Sequence, residues 1–295
     1  MSVRDILKGT GVALVTPFKS DGSIDFPALE KLLTYVIDGG VEYVVTLGTT
    51  GETPTLDKQE KEDLINFTIE NVSGRVPVVV GIGGNNTKEC IEALEKLPVQ
   101  HATAILSASP YYNKPSQEGI FQHYKAMAAA TNKPILLYNV PGRTGRNITA
   151  ATTLKLATEV ENIVGIKEAS GDLAQCMQIL RDKPSDFMVV SGDDNLVLPQ
   201  MACGMSGVIS VAANCLPKKF SEMVRYCLEQ DYVSARTIHY QLLEAYDLLF
   251  VENNPAGVKA FLTELGIIGN NLRLPLTPLS NGVYEQVRRY LSTLS

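Results

Sequence analysis

"IVGIKEAS", residues 163–170, is an apolar run with a lysine and a glutamate set into its far end. Its apolar residues are continuous rather than alternating, as in a strand covered on both faces. Seven further runs share the pattern. They are "GVALVTP" (11–17), "YVVTLG" (43–48), "PVVVGIG" (77–83), "ATAILSAS" (102–109), "ILLYNV" (135–140), "FMVVSG" (187–192) and "GVISVA" (207–212). Between them lie helical patterns. "DFPALEKLLTYVIDGG" has apolar residues at helical spacing and glycines to stop it, and "TKECIEALEKLP" opens on a threonine cap and ends before proline. "SQEGIFQHYKAMAAAT" and "TAATTLKLATEV" fill later gaps.

Eight strands alternating with helices predict an α/β fold, a closed (β/α)8 TIM barrel. An open doubly wound sheet is the alternative, and the count of eight favours closure. After "GVISVA" the pattern changes. "PKKFSEMVRYCLEQ", "DYVSARTIHYQLLEAYDLLFV" and "PAGVKAFLTELG" are helical with no strand between them. Residues 1–224 are therefore expected to form the barrel with the active site. Residues 225–295 are expected to form a C-terminal helical extension packed on it, since no flexible linker intervenes.

The bulk numbers narrow the function. The chain has 295 residues, 45% of them hydrophobic and 20% charged, enough for a sizeable core. A net charge of -6 argues against nucleic acid or an anionic membrane as partner. Five cysteines without a C-x-x-C pair read as the reduced thiols of a cytoplasmic protein. The three histidines lie far apart, so no metal site is expected. The opening "MSVRDILKGTG" has no long apolar run, so no signal peptide is expected, and no stretch is long enough for a membrane helix. "GIGGNN" (81–86) lacks the spacing of a dinucleotide fingerprint.

In such barrels the active site lies at the carboxyl ends of the strands. Five of those ends carry polar, glycine-rich tails: "GTTGET" (48–53), "SPYYNKPS" (109–116), "YNVPGRTG" (138–145), "SGDDN" (191–195) and "ISVAAN" (209–214). A strand lysine ordinarily snorkels to water along its own stem. Lys167 lies on a central strand, where water is reached mainly through the barrel mouth. An amine kept from water favours its neutral form, and a neutral amine forms a Schiff base with a carbonyl. Glu168 must point the opposite way, towards the helices, and reads as structural. Tyr138 reads either as a strand filler or as a phenol that moves protons. Thr49 and Thr50 are either a plain turn or a carboxylate seat at a helix start. Arg143 is either a solvated loop charge or a planar fork for a second carboxylate.

The tails "GTTGE", "SPYYNKPSQEG", "YNVPGRTG", "GIKEASGD", "SGDD" and "GVISV" resemble the dihydrodipicolinate synthase / N-acetylneuraminate lyase family, in the family's order and across nearly the whole chain. The resemblance is closest to the synthase branch. It implies a barrel with a C-terminal helical region and a Schiff base between Lys167 and pyruvate. It implies a proton relay of Tyr138, Thr49 and Tyr112, with Tyr112 crossing from a neighbouring subunit. It implies that Thr49 and Thr50 hold the pyruvate carboxylate and that Arg143 binds the carboxylate of L-aspartate 4-semialdehyde. Gly192, Asp193 and Ile209 line the same mouth by resemblance. The lysine supplies the electrophilic catalysis, so neither metal nor organic cofactor is expected, and a homodimer or homotetramer is.

Two other readings remain open at this level. A sialic acid lyase would take a sugar aldehyde, and such members usually lack an arginine where this chain has Arg143. A non-catalytic keto-acid sensor would be expected to lose Lys167 or Tyr138. One departure bears on regulation. By resemblance Asn85, Glu89 and Tyr111 match positions of a lysine-inhibitor pocket, where this chain also carries Lys58 and Lys61. Two cations would repel the ammonium of an inhibitor, so feedback inhibition is expected to be weak or absent, although the pair reads equally well as a solvated helix face.

Overall fold

The computed structural model describes residues 3–294. All eight expected runs are strands: β1 (Gly9–Ala13), β2 (Tyr43–Thr46), β3 (Val78–Gly81), β4 (Ala104–Ala108), β5 (Ile135–Asn139), β6 (Ile163–Glu168), β7 (Met188–Ser191) and β8 (Gly207–Ser210). They pair in parallel in sequence order, and β8 pairs back onto β1 to close the barrel. Most strands stop a few residues short of their runs, because the polar tails have already turned into the loops above the barrel.

The continuous apolar pattern has two causes. Inward side chains, among them Val45, Val79, Leu106, Leu136, Met188, Val190 and Ile209, fill the lumen. Outward ones, among them Val12, Val44, Val80, Ile105, Leu137, Ile166 and Val189, pack beneath the helices. The amino-terminal end of the lumen is plugged. Leu7, from the short α1 (Val3–Ile6) segment, and Tyr43 are both fully buried there. A Cβ on Gly11 would stand 2.2 Å from the Tyr43 ring, so the glycine makes room for the plug. The lumen is thus open to chemistry only at its other end.

The strands alternate with α2 (Phe26–Asp38), α3 (Lys58–Val72), α4 (Thr87–Lys96), α5 (Gln117–Ala129), the short α6 (Pro141–Thr144), α7 (Ala150–Glu159), α8 (Leu173–Asp182) and α9 (Val197–Ala202). Six of their starts are capped by short polar side chains: Asp25, Asp57, Asn86, Ser116, Thr149 and Asp172 each accept a backbone N–H from the first turn. The expected threonine cap on "TKECIEALEKLP" is corrected. Asn86 is the cap, and Thr87 lies inside the helix with its hydroxyl 2.8 Å from His123 Nδ1.

Four helices follow β8: α10 (Pro217–Leu228), α11 (Tyr232–Phe250), α12 (Ala256–Glu264) and α13 (Asn281–Thr293). The expected division between residues 224 and 225 cuts through α10. That helix packs against β1 and α2, as the closing layer of the barrel must. We propose the turn at residues 229–231 as the division, with α11 to α13 forming the extension. Among the described residues no helix is long and apolar enough to cross a membrane.

The seam between β8 and β1 is where closure is most exposed to a test. Gly207 has φ +155°, and a Cβ there would lie 2.1 Å from the carbonyl oxygen of Gly9. Backbone atoms cannot swing aside, so Gly207→Ala is expected to cost at least about 2 kcal/mol of unfolding free energy in a urea titration. Gly74 also has a positive φ but open space around it, so Gly74→Ala is expected to cost only about 1 kcal/mol. Equal midpoints for the two variants would contradict the seam argument.

Candidate active site

Parallel pairing puts Lys167 of β6 opposite Tyr138 of β5. Tyr138 belongs to the lumen cluster, so Lys167 points inward beside it. Its Nζ lies 4.4 Å from the centre of the Tyr138 ring, and only 4% of the residue is exposed. Gly192 leaves room for this side chain. A Cβ there would come within 2.9 Å of Lys167 Cε and 2.6 Å of Ala169 Cβ. Ile209, buried in the lumen on β8, is part of the same apolar lining.

The next residue faces the other way. Glu168 is fully buried outside the lumen, where it accepts from Asn139 Nδ2 at 3.0 Å, Gln175 Nε2 at 3.1 Å and Ser170 N–H at 2.8 Å. Burial raises its carboxyl above the usual range, and these hydrogen bonds oppose the rise. Asn139 Nδ2 also donates to Asn147 Oδ1, and Asn147 donates to Gln175. The network therefore ties the end of β6 to the loop that follows α6, the short helix carrying Arg143.

The "SGDD" tail divides its two acids. Asp194 is buried, and its Oδ2 accepts the N–H groups of Val211 and Ala212 at 3.0 and 2.8 Å, holding the end of β8. Asp193 is half-buried near Lys167. Burial pushes its carboxyl up to about 6 against the pull of the Lys167 ammonium.

Thr49 and Thr50 open a 3-10 turn, Thr49–Gly51, whose leading N–H groups have no partner within the turn. Thr50 is buried, and its Oγ1 accepts from Asn254 Nδ2 at 3.0 Å. Arg143 lies exposed on α6. Tyr112 is 87% exposed with φ +69°, on a loop where Lys114 also has positive φ, so its ring is not packed against its own chain's site. Of the expected regulatory group, Asn85 accepts from Asn113 of that loop at 3.1 Å and Glu89 accepts from Asn86 at 2.8 Å. Tyr111 is 44% exposed. Among the described residues no hydrogen bond or ion pair joins Lys58 or Lys61, at the start of α3, to Asn85, Glu89 or Tyr111. No group of three or more His, Cys, Asp or Glu side chains suited to a metal ion occurs among the described residues.

The family model for the dihydrodipicolinate synthetase family matches residues 6–294. The chain belongs to the dihydrodipicolinate synthetase family. A relative from Parabacteroides distasonis named 4-hydroxy-tetrahydrodipicolinate synthase is 53% identical over 98% of this chain and 97% of its own length. The crystal structure of dihydrodipicolinate synthase from Aquifex aeolicus superposes with a TM-score of 0.94 at 41% identity, covering 97% of this chain and 98% of that one. A chloride-inhibited dihydrodipicolinate synthase from Acinetobacter baumannii, complexed with pyruvate, gives the same score and identity over 97% of this chain and 98% of its own.

Sequence reasoning missed the residues that support this candidate site. Asn254, which reaches Thr50 from 204 positions away, gave no local signal. Asp194 was masked by its neighbour in "SGDD". Lys259 did leave a trace. It sits in the apolar run "AGVKAFL" (256–262), the same anomaly that singled out Lys167.

Asp193 yields a pH-dependent prediction. Its folded-state pKa of about 6 lies above the ordinary 3.8, so the folded protein binds the proton more tightly than the unfolded chain does. The charged carboxylate therefore lowers stability above about pH 6, and the effect vanishes below about pH 4. Asp193→Asn is expected to stabilise the protein by on the order of 1–2 kcal/mol at pH 7, allowing for partial exposure. The gain should fade as pH drops towards 4 in thermal melts, and a gain independent of pH would rule this account out.

Proposed function

We propose that the chain is a Schiff-base-forming lyase with 4-hydroxy-tetrahydrodipicolinate synthase activity, condensing pyruvate with L-aspartate 4-semialdehyde on Lys167. The observation that carries the reading is the lysine itself, buried in the barrel lumen with its Nζ 4.4 Å from the centre of the Tyr138 ring. An amine so placed meets a carbonyl compound only through the mouth, and it meets it beside a phenol. The full-length similarity to relatives named for this activity supports the same conclusion.

The Lys167 amine attacks the ketone carbon of pyruvate, and the carbinolamine loses water to give a protonated imine. The imine draws electrons from the methyl group, whose proton leaves to form an enamine. The enamine carbon attacks the aldehyde of the semialdehyde, and the new alkoxide takes a proton. The amino group of the adduct then attacks the imine carbon and expels the Lys167 amine, closing the ring. Tyr138 and Thr49, with Tyr112 from a second subunit, are the proposed proton relay. Thr49 and Thr50 receive the pyruvate carboxylate, and Arg143 grips that of the semialdehyde. Gly192, Asp193 and Ile209 shape the space around the imine. No step calls for a metal or organic cofactor, because the imine nitrogen is itself the electron sink.

A homodimer or homotetramer is part of the same proposal, and the exposure of Tyr112 supports it, since the proposed relay has that ring entering a partner's site. The five cysteines are free thiols, in keeping with a reducing cytoplasm. Weak or absent inhibition by lysine remains the proposal for Lys58, Lys61, Asn85, Glu89 and Tyr111, and a fall of initial rate at low lysine would reject it.

The deciding experiment offers pyruvate with L-aspartate 4-semialdehyde or with N-acetylmannosamine and follows pyruvate consumption. Consumption with the semialdehyde alone is expected; consumption with the sugar alone would make this a sialic acid lyase. Lys167→Ala is expected to lose turnover by at least about 1,000-fold and to give no borohydride-trapped pyruvate adduct. Arg143→Ala is expected to lower kcat/KM for the semialdehyde by about 100-fold while pyruvate still traps on Lys167. Loss of trapping in the arginine variant would contradict its proposed role.

A further inference from the structure

The turn proposed to seat the keto-acid carboxylate is held from outside the barrel. Asn254, just before α12, is buried and donates from Nδ2 to Thr50 Oγ1 at 3.0 Å. A threonine hydroxyl has one proton to give. Because Asn254 donates into the oxygen, that proton is left to point elsewhere.

A second contact fixes the same turn. Glu52 caps it in the left-handed region, φ +54° and ψ +31°, a conformation a glutamate adopts only under constraint. The constraint is visible. The Glu52 carboxylate is completely buried, with Oε1 2.5 Å from Lys259 Nζ and Oε2 accepting Arg273 N–H at 3.0 Å. Lys259 Nζ also donates to Asn271 O at 2.8 Å and lies 4.3 Å from the centre of the Phe18 ring. On the barrel side Thr16 Oγ1 donates to Gly51 O at 2.7 Å. Asn254, Lys259, Asn271 and Arg273 all belong to the segment after α11, so the C-terminal extension clamps the turn.

We propose that Asn254 is a positioning residue that aims the Thr50 hydroxyl proton at the substrate carboxylate, and that the buried Glu52–Lys259 pair holds the turn on which this depends. The proposal rests on the reading that Thr50 receives the pyruvate carboxylate. It gives the contacts of Asn254 and Lys259 with this turn a role that folding of the barrel does not require.

Asn254→Asp tests the direction of the hydrogen bond, because it keeps the shape and turns the donor into an acceptor. The Thr50 proton would then be drawn to the introduced carboxylate and away from the substrate. The expected result is a rise of at least about 30-fold in pyruvate KM, against about 10-fold for Asn254→Ala, as for loss of one neutral hydrogen bond. The loss should fall mainly on pyruvate KM, with the semialdehyde KM held within about twofold. In a Thr50→Val background, Asn254→Ala should weaken pyruvate no further, which a merely structural role would not predict. This cycle and Asn254→Ala stand as the test even where the aspartate variant does not fold. The wild type separates the two possible failures. If it forms no borohydride-trapped pyruvate adduct, the functional reading itself falls. If it does, and Asn254→Asp binds pyruvate as well as wild type or the cycle is additive, this proposal alone is overturned.

Discussion

Closure of the sheet is the constraint from which the rest follows. A parallel strand with neighbours on both sides has no edge, and its side chains have only two places to go, the lumen or the helical layer. Every position along a strand is thereby assigned a side. In β6 that rule sends Lys167 into the lumen and Glu168 out to Asn139 and Gln175. Adjacent residues of opposite charge end in separate environments, without any local feature of the backbone to part them.

The lumen is also graded along its axis. Leu7 and Tyr43 seal the amino-terminal end, and apolar layers fill the middle. Polar groups gather at the carboxyl end, where the tails depart. The single open end leaves Lys167 almost completely shielded from bulk water beside Tyr138. Groups around it carry a cost in stability that the lower layers offset. Asp193 is the clearest case, a carboxylate held half-buried where its charge is penalised.

Beyond the barrel, the structure depends on contacts of very long sequence separation. Thr50 and Asn254 are 204 positions apart, and Arg273 and Glu52 are 221 apart. Both bring the C-terminal extension onto the turn above β2, and the same segment also reaches Phe18, Gly22 and Glu60. A charge pair as deeply buried as Glu52–Lys259 is weak evidence for added stability. It does impose one geometry, because any other leaves a charge stranded in the core. A buried pair of this kind fits a role in orientation better than a role in holding the fold together.

The sequence by itself determined the eight strands, their alternation with helices, the barrel and the lysine that departs from its strand pattern. These are properties of local order, since burial on two faces writes a continuous apolar run and each polar tail begins where cover ends. It left Tyr138 and Arg143 readable two ways, because one residue type serves both packing and chemistry. Only the tertiary structure decided that the helix after β8 belongs with the barrel layer, since its packing on β1 and α2 joins residues about 200 positions apart. Only it decided the supports: the Asn254 donor to Thr50, the Asp194 clamp on β8 and the partner of Lys259. A hydrogen bond between residues hundreds of positions apart has no period and no spacing, and so leaves no pattern in the chain to be read.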